Sequence, residues 1–316
     1  MTATSGGQGA IVAALGSLTS RLPVISFGHP TGGTVNKVPL GLRPYGVAVG
    51  PNFALVTQLD GGTVTRFSLS PFQSVGTITT GSVPTGISVD AKGTRALVTN
   101  QFDPSIGIID VASNTETTKL SATSTTFRTI FSADGARGYG TLTEGKLMVI
   151  DPVTRTSVTT VPIVINANGL AFGPGDTLLY VTSMSGGISV FNTKTNTVVN
   201  TISLSGTLQD VAFTRDRTSF FVANENSTSL LVCASATGQQ STVINLPAGP
   251  FGLTVTPDGK QLWVAHTNGS ITVIDVATRT VSRNQSIGGS LRRIAFDRFG
   301  TLAIVSDEAG NVVMIR

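Results

Sequence analysis

A chain of 316 residues with 40% hydrophobic and only 12% charged side chains holds enough apolar surface for a large core, which excludes a disordered polypeptide. Its 21 basic and 17 acidic residues leave a net charge of +4 with no Lys/Arg-rich run, so nucleic acid is not an expected partner. The one cysteine, Cys233, excludes an internal disulfide framework and a multi-cysteine metal site, and it reads as a packing residue.

Residues 1–33 begin Gly/Ser-rich and fall outside any repeat, which predicts an extension that lies on the surface or is partly disordered. The apolar run at residues 10–15 is too short to cross a bilayer and lacks the basic residues that precede a signal sequence. No membrane insertion is expected.

From residue 34 onward the chain is built of one repeated unit. Its first strand is an apolar-x-apolar phrase followed by a turn, as in Gly86-Ile87-Ser88-Val89-Asp90-Ala91-Lys92-Gly93 and Gly252-Leu253-Thr254-Val255-Thr256-Pro257-Asp258-Gly259. The last apolar residue falls at Val49, Val89, Phe131, Phe172, Phe213, Val255 and Phe296, with gaps of 40, 42, 41, 41, 42 and 41, so there are seven copies. A second strand follows with a recurring ending: Ala54-Leu55-Val56-Thr57-Gln58, Ala96-Leu97-Val98-Thr99-Asn100, Leu179-Tyr180-Val181-Thr182-Ser183, Phe221-Val222-Ala223-Asn224 and Leu262-Trp263-Val264-Ala265-His266. Tyr139-Gly140-Thr141-Leu142 and Ile304-Val305-Ser306-Asp307 are looser copies. The third strand ends in Asp110, Asp151, Asn192 or Asp275, whose side-chain oxygens are placed to cap backbone N–H groups of the next turn. A fourth, more polar strand closes each unit, as in Val198-Val199-Asn200-Thr201-Ile202.

Four strands per unit of about 41 residues, repeated seven times, predict an all-β, seven-bladed β-propeller. The seventh unit stops at Arg316 after three strands. Offset arithmetic places its missing fourth strand near residues 34–40, pairing with Val312-Val313-Met314-Ile315 and closing the ring. The domain reading is therefore an extension at 1–33 and one propeller at 34–316.

On the second-strand endings, the chain resembles the YVTN-repeat β-propellers over about residues 34–316. That resemblance includes bacterial surface and envelope propellers. It implies a periplasmic, cell-surface or secreted location, with any signal sequence lying outside these residues.

Ligands of propellers are expected at the mouth of the central channel, where loops of every blade converge on a rigid scaffold. A first ring of positions reads Gly46, Gly86, Arg128, Gly169, Asp210, Gly252 and Arg293. The glycines point to backbone crowding at the axis; the three charged exceptions favour an anion, unless Asp210 simply bridges the arginines as a polar plug. Tyr45, Phe127, Asn168, Gln209, Phe251 and Arg292 precede that ring and are candidate pocket walls. A second ring, Gln58, Asn100, Leu142, Ser183, Asn224, His266 and Asp307, follows the second strand.

The expected function is a monomeric binding propeller, presenting a small anionic ligand, a glycan or a protein with a site that includes Arg128, Asp210, Arg293, Tyr45, Asn168, Asn224 and Phe251. The alternative is a lactonase-like hydrolase or lyase, since similar seven-bladed propellers include sugar lactonases and streptogramin lyases. There His266 is the candidate general acid or base, oriented by Asp307, with Arg128 and Arg293 stabilising negative charge. No cofactor is expected. Asp60, Asp103, Glu144, Glu225 and Glu308 would be oxygen ligands for calcium, but their spread over different blades reads as solvation.

Overall fold

Short runs of β-branched and apolar residues, broken by Gly, Asp and Asn at regular intervals, favour brief antiparallel strands joined by tight turns. A computed structural model describes residues 7–15, 18–33 and 35–316. The Gly/Ser-rich opening at residues 1–6 and Thr34, at the edge of the expected closing strand, lie outside the described residues.

Seven sheets of four antiparallel strands form a ring, with blades at residues 44–79, 84–121, 126–162, 167–202, 208–245, 250–286 and 291–315. The first strands of neighbouring blades touch one another around the axis. The last blade takes its fourth strand from Val35–Pro39, antiparallel to Asn311–Ile315 with Val35 opposite Ile315 and Val38 opposite Val312. This is the expected closure.

Both faces of each sheet are buried against neighbours. Trp263, Ala265 and Val273 of blade six pack on Ile294, Ala303 and Val305 of blade seven. Ala54, Val56 and Phe67 of blade one pack on Ile304, Val312 and Met314 of blade seven, so the closing interface is as apolar as the others. Each fully buried Leu, Ile, Val or Phe contributes about 1.5–3 kcal/mol.

The third-strand residues cap turns as their sequence pattern implies. Asp110 Oδ1 accepts from Ser113 N (2.9 Å), Asp151 Oδ1 from Val153 N (2.9 Å), Asn192 Oδ1 from Lys194 N (2.9 Å) and Asp275 Oδ1 from Thr278 N (2.8 Å).

In blades one to six the fourth strand bulges at one equivalent residue: Val75, Thr117, Val158, Val199, Ser241 or Ser282. A bulge twists the exposed edge and disrupts it as a template for another strand. The closing strand of blade seven keeps its register throughout.

Within the N-terminal extension, Gly7–Leu15 and Leu18–Ser26 pair as a two-stranded antiparallel sheet that the repeat pattern did not foretell. Residues 27–33 then lie along blades six and seven. Gly28 N donates to Phe299 O (2.8 Å), Gly32 N donates to Arg316 O (2.9 Å), and His29 Nδ1 meets Asp258 Oδ2 at 2.7 Å.

Candidate functional site

Every innermost strand carries one extra residue relative to its partner, between Pro44 and Val47 in blade one and at the equivalent place in the other six. A bulge re-aims side chains, and these bulges fall on the first ring and the residue before it. The ring glycines are dictated by close approach. A Cβ on Gly46 would lie 2.1 Å from Thr85 O, and one on Gly252 would lie 2.2 Å from Arg292 O.

Hydroxyls on the second strands stitch this inner ring together. Thr57 Oγ1 accepts from Gly46 N (2.7 Å) and donates to Thr85 O of the next blade (3.0 Å). Thr99 Oγ1 accepts from Gly86 N (2.6 Å) and donates to Phe127 O (3.0 Å). Thr141 accepts from Arg128 N (3.1 Å), Thr182 from Gly169 N (2.9 Å), and Ser306 from Arg293 N (3.0 Å) while donating to Tyr45 O. Ala223 and Ala265 have no hydroxyl to give in blades five and six. Asp210 spans that gap: its Oδ1 accepts from Val211 N (3.1 Å) and its Oδ2 from Leu253 N of blade six (3.3 Å).

The three charged ring residues converge. Arg293 Nη1 donates to Asp210 Oδ2 at 2.9 Å, and Arg128 Nη2 lies 3.5 Å from Asp210 Oδ1. Asp210 and Arg293 are buried, and the Arg293 Nε is buried without a hydrogen-bond partner. About a fifth of the Arg128 side chain (22%) stays reachable by solvent. Burial, reinforced by repulsion from Arg293 and opposed by Asp210, draws the Arg128 guanidinium down to about 10, so it remains a cation at neutral pH.

On the side where the inner strands begin, an aromatic plug covers the triad. Tyr45 and Phe251 meet edge to face at 6.0 Å, with the Arg292 and Arg293 guanidiniums 4.5 and 4.8 Å from the Phe251 ring centre. Glu308 anchors Arg292 and also accepts from Arg43 Nε (2.9 Å). Burial works against its charge, yet the two arginines hold its carboxyl below the usual range. Asn168 belongs to a chain in which its amide donates to Gln209 and Gln209 donates to Glu225.

The space lies on the other side of the triad. A cavity of about 490 Å³ runs along the later halves of the inner strands, past Ile130, Leu170, Val211 and Leu253, to the exposed residues Ala133, Asp176 and Arg215. Arg128, Asp210 and Arg293 line its inner end. Tyr45 and Phe251 thus stand over the triad at the strand beginnings, where the sequence places the mouth.

His266 and Asp307 depart from their expected roles. His266 is fully buried, with Nδ1 donating to Gly249 O (3.0 Å) and Nε2 bonded to Thr272 Oγ1 (2.8 Å), so both nitrogens are engaged within blade six and its preceding loop. Asp307 is also fully buried and accepts from Ser290 N (2.7 Å), Ala309 N (3.0 Å) and Asn311 Nδ2 (2.8 Å). These bonds pin loops and leave neither group facing the cavity. Asn224 likewise ties a loop, its Oδ1 accepting from Thr207 N (3.1 Å). Of the acidic residues weighed for calcium, Asp60 and Glu308 meet Arg43, Asp103 meets Lys119, and Glu144 meets Lys146.

Burial lowers the His266 pKa, with the Gly249 carbonyl opposing it. The unfolded imidazole takes up a proton near pH 6.5 while the folded one resists. Stability is therefore full above about pH 6.5 and falls as pH drops from there toward the depressed folded value. Denaturant midpoints measured between pH 8 and 5 are expected to decline in that window for the native chain, and the decline shrinks in His266→Gln. Identical profiles for the two would show that His266 carries no such linkage.

Sequence reasoning missed the hydroxyl ring and the rim arginines Arg215 and Arg217. The recurring Thr in the second-strand endings was the visible signal for the first. Nothing in the repeat pattern singled out the second, because they sit in an ordinary turn.

No family model matches the chain, and no curated protein matches it in sequence. Its backbone is similar to that of Kuenenia stuttgartiensis Hydrazine Synthase, with a TM-score of 0.80 at 16% identity, covering 92% of this chain and 99% of the other. The likeness shows a shared seven-bladed propeller fold and nothing further about activity. The relation to YVTN repeats rests on the strand endings alone.

Proposed function

We propose that this chain is a binding propeller that holds a small anionic ligand in its axial cavity, with Arg128 and Arg293 as the recognising groups. The observation that carries this reading is two guanidiniums set against one carboxylate at the inner end of the cavity, a local excess of positive charge. Asp210 orients both arginines. Arg128 lines the cavity, and a planar guanidinium can hold a carboxylate or phosphate through two hydrogen bonds. The cavity volume falls within the range of small-molecule sites, about 300–1,000 Å³.

A buried cation kept for a ligand costs stability in its absence. The depressed Arg128 pKa puts that cost at roughly 1–3 kcal/mol, discounted for its partial solvent access. Arg128→Met is therefore expected to raise the melting temperature of the ligand-free protein by a few degrees. In the native chain, carboxylates and phosphate esters at about a hundred times their dissociation constant should add about 2.7 kcal/mol, or roughly 5 °C. That increment should vanish in the variant. An anion that protects both proteins equally, or no protecting anion in the whole panel, would refute the reading.

A further inference from the structure

The cavity has a second cationic end. At its exposed rim Arg215 donates through Nη1 to Pro257 O (2.9 Å) and lies 4.9 Å from the centre of the Phe27 ring. Neither contact neutralises it, and among the described residues no carboxylate forms an ion pair with it. Arg217, beside it, is held by Asp176 at 3.1 Å. Between the two ends the cavity passes the apolar side chains of Ile130, Leu170, Val211 and Leu253. Asp210 and Arg215 are five residues apart along the strand and its turn, about 16 Å if fully extended.

Positive charge at both ends of a passage flanked by apolar side chains selects for shape as well as charge. We infer that the ligand is an elongated two-headed anion, either a dicarboxylate dianion or a more highly charged bisphosphate, its two head groups joined by an apolar spacer, with one on Arg128 and Arg293 and the other on Arg215. This rests on the anion-binding reading above. A compact polyanion would leave the apolar wall unused, whereas a single-headed amphiphile would leave Arg215 without a counter-charge.

Calorimetric titration of the full chain with linear α,ω-dicarboxylates of increasing length, the matching monocarboxylates, and alkane bisphosphates tests this. The expected result is an affinity optimum at one spacer length, with that dianion binding at least tenfold more tightly than its monoanion. Arg215→Gln should bring the dianion down to the affinity of the monoanion, and Arg128→Met should abolish binding of both. Preference between the carboxylate and phosphate series identifies the head group. Equal affinity for dianion and monoanion overturns this inference and leaves the single-anion reading standing. An optimum indifferent to Arg215→Gln overturns the assignment of Arg215. Failure of every compound to bind overturns both.

Discussion

Deletion of residues 1–40 is expected to yield a chain that aggregates or melts far below the native protein. The deletion removes Val35–Pro39, and with it the five-residue ladder that pairs Asn311–Ile315. At about 1 kcal/mol net per backbone hydrogen bond, losing the ladder alone removes several kcal/mol, comparable with the roughly 5–15 kcal/mol that holds a typical domain together. It also exposes Val312, Val313, Met314 and Ile315, all buried in the closed ring, along an unpaired edge. A circular permutant that carries residues 35–39 after Arg316 should recover monomeric behaviour, because it restores the ladder without the original terminus. Size-exclusion chromatography and thermal melting decide it. A deletion variant that stays monomeric with an unchanged melting temperature would refute the closure.

The second large effect concerns Asp210. Asp210→Asn leaves Arg128 and Arg293 as neighbouring buried cations with no anion between them, and such uncompensated charge costs about 3–5 kcal/mol. In a domain of this size that corresponds to a fall of roughly 5–8 °C. Adding Arg128→Met should return much of the loss, since one cation is then gone and the repulsion with it. A single variant within about 1 kcal/mol of wild type by denaturant titration would mean that the carboxylate does not hold the centre of the ring.

These two expectations draw on features with different visibility in the sequence. The closure was legible because the repeat is nearly constant in length: an offset from Val89 to Val75 transfers directly to the segment ahead of Val49. The inner ring was legible because adjacent strands come so close that a side chain at Gly46 or Gly252 would strike a neighbouring carbonyl, so departures from glycine stand out. That Arg128, Asp210 and Arg293 meet followed from their shared register. On which side of the triad this cavity lies did not follow, since it depends on how the later halves of the inner strands splay apart. His266 misled for a related reason. Its position reads as a loop-facing rim, but the backbone of the preceding loop folds over it and consumes Nδ1, while Thr272 takes Nε2. The pairing of Gly7–Leu15 with Leu18–Ser26 escaped notice because Pro23 and the glycines there argue against strand, and the segment lies outside the repeat that calibrated the rest.

The same ring closure imposes an order on biosynthesis. The strand at 35–39 leaves the ribosome before any blade, yet its partner at 311–315 is made about 270 residues later. At about 5–20 residues per second the early strand waits roughly 15–60 s for the late one. During that interval Ala54, Val56 and Phe67 of blade one also lack the blade-seven residues that cover them. A chain that stops before residue 311 therefore leaves an open ring, with the blade-one face and the strand at 35–39 both unpartnered.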